Sequence, residues 1–154
     1  MHSKILVSKS DFSLDAELEL IRSQNLNTGA LAFFVGMVRE DQAVRSLLLE
    51  HYPGMTEKSL QKIAGESGER WKLDAVTIIH RVGQLEPGDR IVLVITASTH
   101  RKDAFDACEF IMDYLKTRAP FWKKELTENG DSWVQARESD QLAAQNWGRD
   151  DIKP

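Results

Sequence analysis

Apolar residues along this chain fall into short continuous runs separated by polar turns, a pattern typical of buried β-strands. Pro87 and Gly88 supply turn chemistry between the fourth and fifth runs, so we expect those two strands to pair as antiparallel neighbours. The five runs are KILVS at 4–8, TGALAFFVGMV at 28–38, RSLLLEHY at 45–52, AVTIIHRVG at 75–83 and RIVLVITAS at 90–98.

Three other stretches space their apolar residues as helices do. Ser13 is a suitable N-cap for the first helix, and the second is expected to end near Gly65 and Gly68. The third spans residues 102–118 and stops before Pro120, because proline has no N–H to donate and restrains the residue before it. Its apolar face comprises Ala104, Cys108, Ile111 and Leu115.

The pair Asn129-Gly130 is a strong signal for a two-residue β-hairpin turn. A turn centred there predicts flanking strands in which Lys123 lies across from Ala136 and shares a face with Phe121. Strands with interspersed helices and several hairpins favour an α+β fold over a doubly wound one.

The composition fits one domain, because 154 residues with 42% hydrophobic content can bury a core without disulfides or metals. We assign residues 1–154 to it and expect 147–154 to be a frayed tail. A single cysteine, Cys108, excludes an internal disulfide, and its place on the apolar helix face favours an inert, buried thiol. The net charge of -4 counts against a nucleic-acid protein. No apolar stretch suits a signal peptide or a membrane span, so we expect a cytoplasmic protein.

The familiar phosphate-loop, dinucleotide, zinc-protease and serine-hydrolase motifs are missing from the sequence. GESGER at 65–70 follows a helix instead of a strand, so we interpret it as a loop that ends the second helix. His51 and His80 lie within apolar strands, where a hydrogen-bonded structural role is favoured over ligation. No metal site is predicted.

A concentrated positive charge stands out in this acidic chain, because residues 116–124 contain four cations and no acid. The reversal after the proline brings Lys116 and Lys123 within reach of one pocket. The alternative is that both are surface cations, Lys116 paired with Asp113 and Lys123 with Glu125. The four cations are Lys116, Arg118, Lys123 and Lys124.

A second basic group, STHRK at 98–102, lies where the fifth strand leads into the third helix. A helix N-terminus that carries His100 and Arg101 favours anions, because its N–H groups and dipole attract negative charge. Arg39 follows an apolar strand at the mouth of a loop. Together with the lysines, these residues suit a phosphate beside a reactive amine. The alternative is that Arg101 and Lys102 are only solvated.

Several blocks of the chain, in order from about Lys4 to Trp147, resemble the large, catalytic subunit of molybdopterin synthase, which puts the dithiolene sulfurs into the molybdenum cofactor. The most specific block is DYLKTRAPFWKKE at 113–125. The chain departs from the family in the connection after Arg39, which is short and has no glycine. The other blocks are FVGMVR, LEHYPGMTEK, IIHRVGQLEPGD, STHRKDAF and WVQARESDQ.

The resemblance implies an α/β hammerhead-type domain with an added antiparallel β subdomain. It also implies that sulfur passes from a small ubiquitin-like carrier subunit to cyclic pyranopterin monophosphate. The carrier's Gly-Gly tail, ending as a thiocarboxylate, enters the pocket. Both partners are anions, which accounts for a cationic pocket on an acidic protein. The catalytic residues implied are Lys116, the main group, and Lys123, and the substrate-binding residues are Arg39, His100, Arg101 and Arg137.

The resemblance further implies a dimer of large subunits with one small subunit at each end, and a pocket built from both large subunits. It implies no resident cofactor or metal, since the metal enters the molybdenum cofactor after this step. One rival function is a non-catalytic module that binds a ubiquitin-like tail, identified by binding without turnover. Another is a single-stranded nucleic-acid binder with Phe121 and Trp122 as a stacking strip, which the acidic net charge disfavours.

Overall fold

The computed structural model describes residues 1–41, 44–134 and 138–150, which form two four-stranded β-sheets and four helices. In chain order the elements are β1 (His2–Ser8), α1 (Leu14–Gln24), β2 (Ala30–Met37), β3 (Ser46–His51), α2 (Met55–Arg70), β4 (Ala75–Arg81), β5 (Gly83–Leu85), β6 (Arg90–Ser98), α3 (Arg101–Arg118), β7 (Phe121–Thr127), β8 (Gly130–Val134) and α4 (Glu138–Asp150).

The first sheet has the strand order β1-β4-β6-β2 and carries most of the core. β1 pairs with β4 in parallel, and β4 pairs with β6 in the antiparallel arrangement that the sequence predicts. Alternate side chains of β6 enter two cores, because Val92 and Val94 pack under α2 and α3 while Leu93 and Ile95 pack under α1. This sheet is therefore covered on both faces.

The second sheet is a smaller antiparallel unit with the order β5-β3-β7-β8. The chain reaches it from β4 through Gly83, whose φ of +89° is a conformation that favours glycine. Val38, Leu47, Leu49 and Leu85 form its own buried cluster. The result confirms the predicted fold class, an α+β domain with an antiparallel β subdomain.

The helices confirm local signals and correct one of them. The Ser13 hydroxyl accepts a hydrogen bond from the Ala16 amide, and α3 ends at Arg118, before the proline. α2, however, runs through both Gly65 and Gly68 to Arg70, so the predicted loop at GESGER is wrong. Burial of successive turns of this helix outweighs the cost of about 1 kcal/mol that each internal glycine imposes.

The final helix was not predicted. α4 extends through Gly148 to Asp150, so part of the segment expected to fray is helical. Its Trp147 packs edge-on against Trp71 and Phe110. The indole Nε1 of Trp147 donates a hydrogen bond of 2.6 Å to Asp113 on α3. This helix is held by long-range packing that local periodicity does not reveal.

The β7–β8 hairpin differs from the prediction by two residues of register. Thr127 pairs with Gly130, so Lys123 lies across from Val134 instead of Ala136. The predicted turn needs positive φ at both central residues. Among the described residues only glycines have positive φ, and Gly130 adopts +121° directly after the turn. A shift of two keeps the alternation, so Phe121 and Lys123 still share a face.

Candidate functional site

The cationic residues identified from the sequence lie at opposite ends of α3. β6 ends at Ser98, two residues before the N-cap His100, and α3 runs back along β6 and β2. At 1.5 Å per residue, Lys116 lies roughly 22 Å along the helix axis from Arg101. The two ends therefore form separate regions within one chain.

The first region is a cleft of about 520 Å³ at the N-terminus of α3, called the His100 cleft below. His100 is the N-cap but makes no side-chain capping hydrogen bond, so the first N–H groups of the helix face the cleft without a side-chain acceptor from it. Gly29 forms the opposite wall, where a Cβ atom would lie 2.3 Å from the Thr99 carbonyl oxygen. The lining residues are Gly29, Ala30, Thr99, His100, Arg101 and Lys102.

The second region, called the lysine site below, is the junction of α3 and β7, where Lys116 and Lys123 flank a residue of a stacked pair of rings. The His80 and Phe121 rings stack at 3.8 Å between centroids, with 17° between their planes. The positive charge of Lys116 lowers the pKa of His80, which indicates that the amine lies near this stack. Lys123 follows Phe121 by two residues on the same face of β7. Both lysines are exposed.

Arg39 is linked to the second sheet through its neighbour in the chain. It follows Val38, which packs with Leu47 and Leu49 in the core of the second sheet. Leu49 in turn pairs directly with Lys123 in the β3–β7 ladder. Arg39 is exposed and directly follows a residue of the core that lies under the second sheet, which also carries Lys123.

His80 is neutral at physiological pH. Burial lowers its pKa to about 4, and the nearby positive charge of Lys116 acts in the same direction. The hydrogen bond of 2.7 Å between its Nδ1 and the Arg81 carbonyl opposes the shift but does not overcome it. The histidine therefore adds no charge to the lysine site, and its predicted role as a hydrogen-bonded structural residue is confirmed.

The cations of the 116–124 segment differ in whether they form ion pairs with acidic side chains. Arg118 contacts Glu66 at 3.1 Å and the Tyr114 ring at 3.8 Å, and Lys124 lies 3.7 Å from Asp131. Lys116 has no acid within ion-pair distance among the described residues. Among the described residues Lys116 forms no ion pair with Asp113, whose carboxylate accepts a hydrogen bond from Trp147.

The arginines of the described residues also differ in whether they contact a carboxylate or an aromatic ring. In the described part of the chain, Arg39 and Arg101 contact neither a carboxylate nor an aromatic ring. Lys102 pairs with Asp106 at 2.9 Å, as the solvated alternative suggests, which leaves Arg101 as the exposed guanidinium of the His100 cleft. The arginines held by carboxylates are Arg22, Arg45, Arg81, Arg90 and Arg118, and Arg70 lies over aromatic rings.

One chain therefore gathers only part of the predicted site. Lys116 and Lys123 flank the α3–β7 junction and Arg39 follows the core of the second sheet, whereas His100 and Arg101 lie at the far end of α3. Arg137 falls outside the described residues. Sequence reasoning missed the approach of His80 to Lys116, because the two residues come from different elements and no local signal links them.

Other predicted features have clear outcomes. Cys108 is buried, and burial raises the pKa of its thiol to about 11, which confirms an inert cysteine. Phe121 and Trp122 project from opposite faces of β7, so they do not form the stacking strip that a nucleic-acid binder would use. The described residues contain no group of three metal-ligating side chains and no helix long and apolar enough to cross a membrane.

The fold and the two cationic regions define an α+β protein suited to anionic ligands. Residues 7–118 match the family model described as MoaE protein. The molybdopterin synthase catalytic subunit of Pseudomonas aeruginosa is 56% identical over 146 residues, which cover 93% of this chain and 97% of that protein. The chain belongs to the MoaE family of molybdopterin synthase catalytic subunits.

Solved structures support the assignment. A molybdopterin biosynthesis MoaE protein from Burkholderia ambifaria is 55% identical, with a TM-score of 0.83 and coverage of 95% of this chain and 98% of the other. Molybdopterin synthase from Staphylococcus aureus is 34% identical, with a TM-score of 0.77 and coverage of 86% and 96%. The fold thus persists where most of the sequence has changed.

Proposed function

We propose that this protein is a sulfurtransferase that moves sulfur from the C-terminal thiocarboxylate of a small ubiquitin-like carrier subunit to cyclic pyranopterin monophosphate. The observation that carries the proposal is Lys116, a cation with no acidic partner among the described residues, beside a neutral histidine and near Lys123. A cation neutralised by a carboxylate would attract an anion only weakly. Because no carboxylate among the described residues pairs with it, Lys116 can form an ion pair with an anionic ligand.

The lysine site suits the chemistry of this transfer. The thiocarboxylate sulfur attacks a carbon of the pterin, and a carbon–oxygen bond at that carbon breaks so that the oxygen leaves with a proton. Water then adds to the carrier's terminal carbonyl carbon and the bond from that carbon to sulfur breaks, which leaves the sulfur on the pterin and a carboxylate on the carrier. Lys116 contacts that carbonyl and the attacked pterin carbon, where its ammonium stabilises developing negative charge. Lys123 assists in proton transfer or orientation. Arg39 supplies a further cation next to the core of the second sheet.

The separation of the two cationic regions supports a dimer. A substrate held at the lysine site of one chain cannot reach the same chain's His100 cleft, roughly 22 Å away along α3. A second copy of the chain, related by two-fold symmetry, can bring its cleft to the first chain's lysines. In this arrangement His100 and Arg101 of the partner bind the phosphate, and one carrier subunit docks at each end of the dimer.

The decisive experiment is single-turnover conversion. The protein is mixed with thiocarboxylated carrier and cyclic pyranopterin monophosphate, and dithiolene product is followed by mass spectrometry. We expect Lys116→Ala to lower the rate constant by roughly 10²–10⁴-fold while carrier binding is retained. Lys124→Ala is the matched control, because that lysine lies on the opposite face of β7 and already pairs with Asp131.

Each outcome has a clear meaning. Loss in Lys116→Ala with normal turnover in Lys124→Ala supports the assignment of chemistry to the end of α3. Near-normal turnover in Lys116→Ala contradicts it. A wild-type protein that binds the carrier and makes no product would instead be a non-catalytic module for a ubiquitin-like tail.

A further inference from the structure

The stacked pair of His80 and Phe121 joins the two sheets beside the lysine site. His80 lies on β4 in the first sheet, and Phe121 is the first residue of β7 in the second. The ring of His51, across from Phe121 on β3, lies at 6.4 Å from it on a tilted plane. Phe121 therefore has a flat surface to pack on from the first sheet and a ring neighbour in its own sheet.

The orientation of His80 is determined by one hydrogen bond. A carbonyl oxygen only accepts, so the neutral ring must carry its proton on Nδ1 to donate to the Arg81 carbonyl at 2.7 Å. The titratable groups that face the ring are Lys116 from α3 and His51 from β3. A permanent cation in place of this imidazole would repel the Lys116 ammonium, whereas a neutral ring does not.

The position of the Phe121 ring controls how β7 leaves α3. Only Ala119 and Pro120 separate the helix from the strand, and the Phe121 N–H donates a hydrogen bond of 2.9 Å to the Ala119 carbonyl. Lys116 lies two residues before the helix ends, and Lys123 lies two residues after Phe121. A shift in the position of the Phe121 ring is therefore expected to change the distance between Lys116 and Lys123.

We propose that His80 is a positioning residue of the lysine site. Its neutral, buried ring packs against Phe121, and this contact holds Lys123 at a set distance from Lys116. This inference rests on the proposed sulfur transfer for its effect on turnover. It concerns no group assigned to the chemistry itself, and His80 is only 6% exposed.

The test compares His80→Leu, which removes the flat ring, with His80→Phe, which keeps a flat ring of similar size and no charge. We expect His80→Leu to lower the single-turnover rate constant roughly 10-fold with carrier affinity unchanged within roughly twofold. His80→Phe should recover most of the rate. Loss of carrier affinity in parallel with the rate would indicate general damage and overturn the proposal.

A double-mutant cycle distinguishes an effect on the position of Lys123 from a general loss of protein stability. If His80 acts by placing Lys123, the loss caused by His80→Leu should largely disappear in a Lys123→Ala background. An equal loss in both backgrounds would contradict the proposal. The NMR chemical shifts of the backbone amides give a readout that is independent of turnover. The Lys123 amide should shift in His80→Leu and should return to its wild-type position in His80→Phe, while the amides of α4 stay unchanged in both. An unmoved Lys123 amide overturns the positioning role even if the proposed function itself fails.

Discussion

The two ends of α3 use positive charge in different ways. At the N-terminus, His100 and Arg101 extend into an open cleft where the helix dipole adds to their attraction for an anion. At the C-terminus, Lys116 stands beside a buried neutral ring and a stacked phenylalanine. The first arrangement suits binding, and the second suits a cation that must be placed within a fraction of an ångström.

The same comparison explains how an acidic protein can present local regions of positive charge. Among the described residues Arg22, Arg45, Arg90 and Arg118 pair with carboxylates, whereas Arg101, which has no such partner, lines the His100 cleft. Local charge without acidic partners, and not net charge, therefore decides where an anion binds.

Mixing two impaired chains, at a pterin concentration too low to saturate the Arg101→Ala variant, would test the comparison with the largest expected effect. Lys116→Ala damages only the lysine site, and Arg101→Ala damages only the His100 cleft. If each pocket combines one end from each subunit, a mixed dimer contains one pocket with both defects and one intact pocket. Random pairing in equal amounts should then restore roughly a quarter of wild-type turnover. No restoration, with mixed dimers verified by mass spectrometry, would place each pocket within a single chain.

A smaller effect is expected from a matched pair at the cleft. Arg101→Ala should weaken binding of cyclic pyranopterin monophosphate by roughly 10–100-fold, because a charge-assisted contact to phosphate is lost. Carrier affinity should change much less. Lys102→Ala, whose lysine already pairs with Asp106, should change pterin binding by less than roughly twofold. Calorimetric titration measures both ligands, and equal weakening by the two variants would argue against a specific role for the arginine.

The smallest expected effect is the pH dependence of stability at the lysine site. The folded pKa of His80, about 4, lies below the ordinary value of 6.5, so the unfolded chain binds a proton more readily. Stability from the neutral ring is complete above pH 6.5 and is lost as the pH falls toward 4. The contribution amounts to about 2 kcal/mol between pH 7 and pH 5.

His80→Phe isolates this contribution, because phenylalanine cannot titrate while other groups still do. Urea unfolding at both pH values should show a smaller stability loss for the variant than for the wild-type protein. Identical losses would mean that His80 is not held neutral by burial.

Local sequence determined much of the framework. The bounds of α3 followed from apolar spacing and from Pro120, and the strands β4 and β6 from their apolar runs and the turn between them. These signals are local because helix periodicity, strand alternation and proline stereochemistry act over a few residues. The lysine pair was also visible, since Lys116 and Lys123 flank the same chain reversal.

Tertiary structure decided the rest. Contacts between distant elements determine three features that the sequence analysis missed. These are the continuation of α2 past its glycines, the register of the β7–β8 hairpin and the packing of α4 against Trp71 and Phe110. The meeting of His80 with Phe121 and Lys116 also depends on such contacts. Burial and packing across the two sheets, which no short window of sequence contains, brought a neutral histidine to the amine and placed the other cations at the far end of the helix.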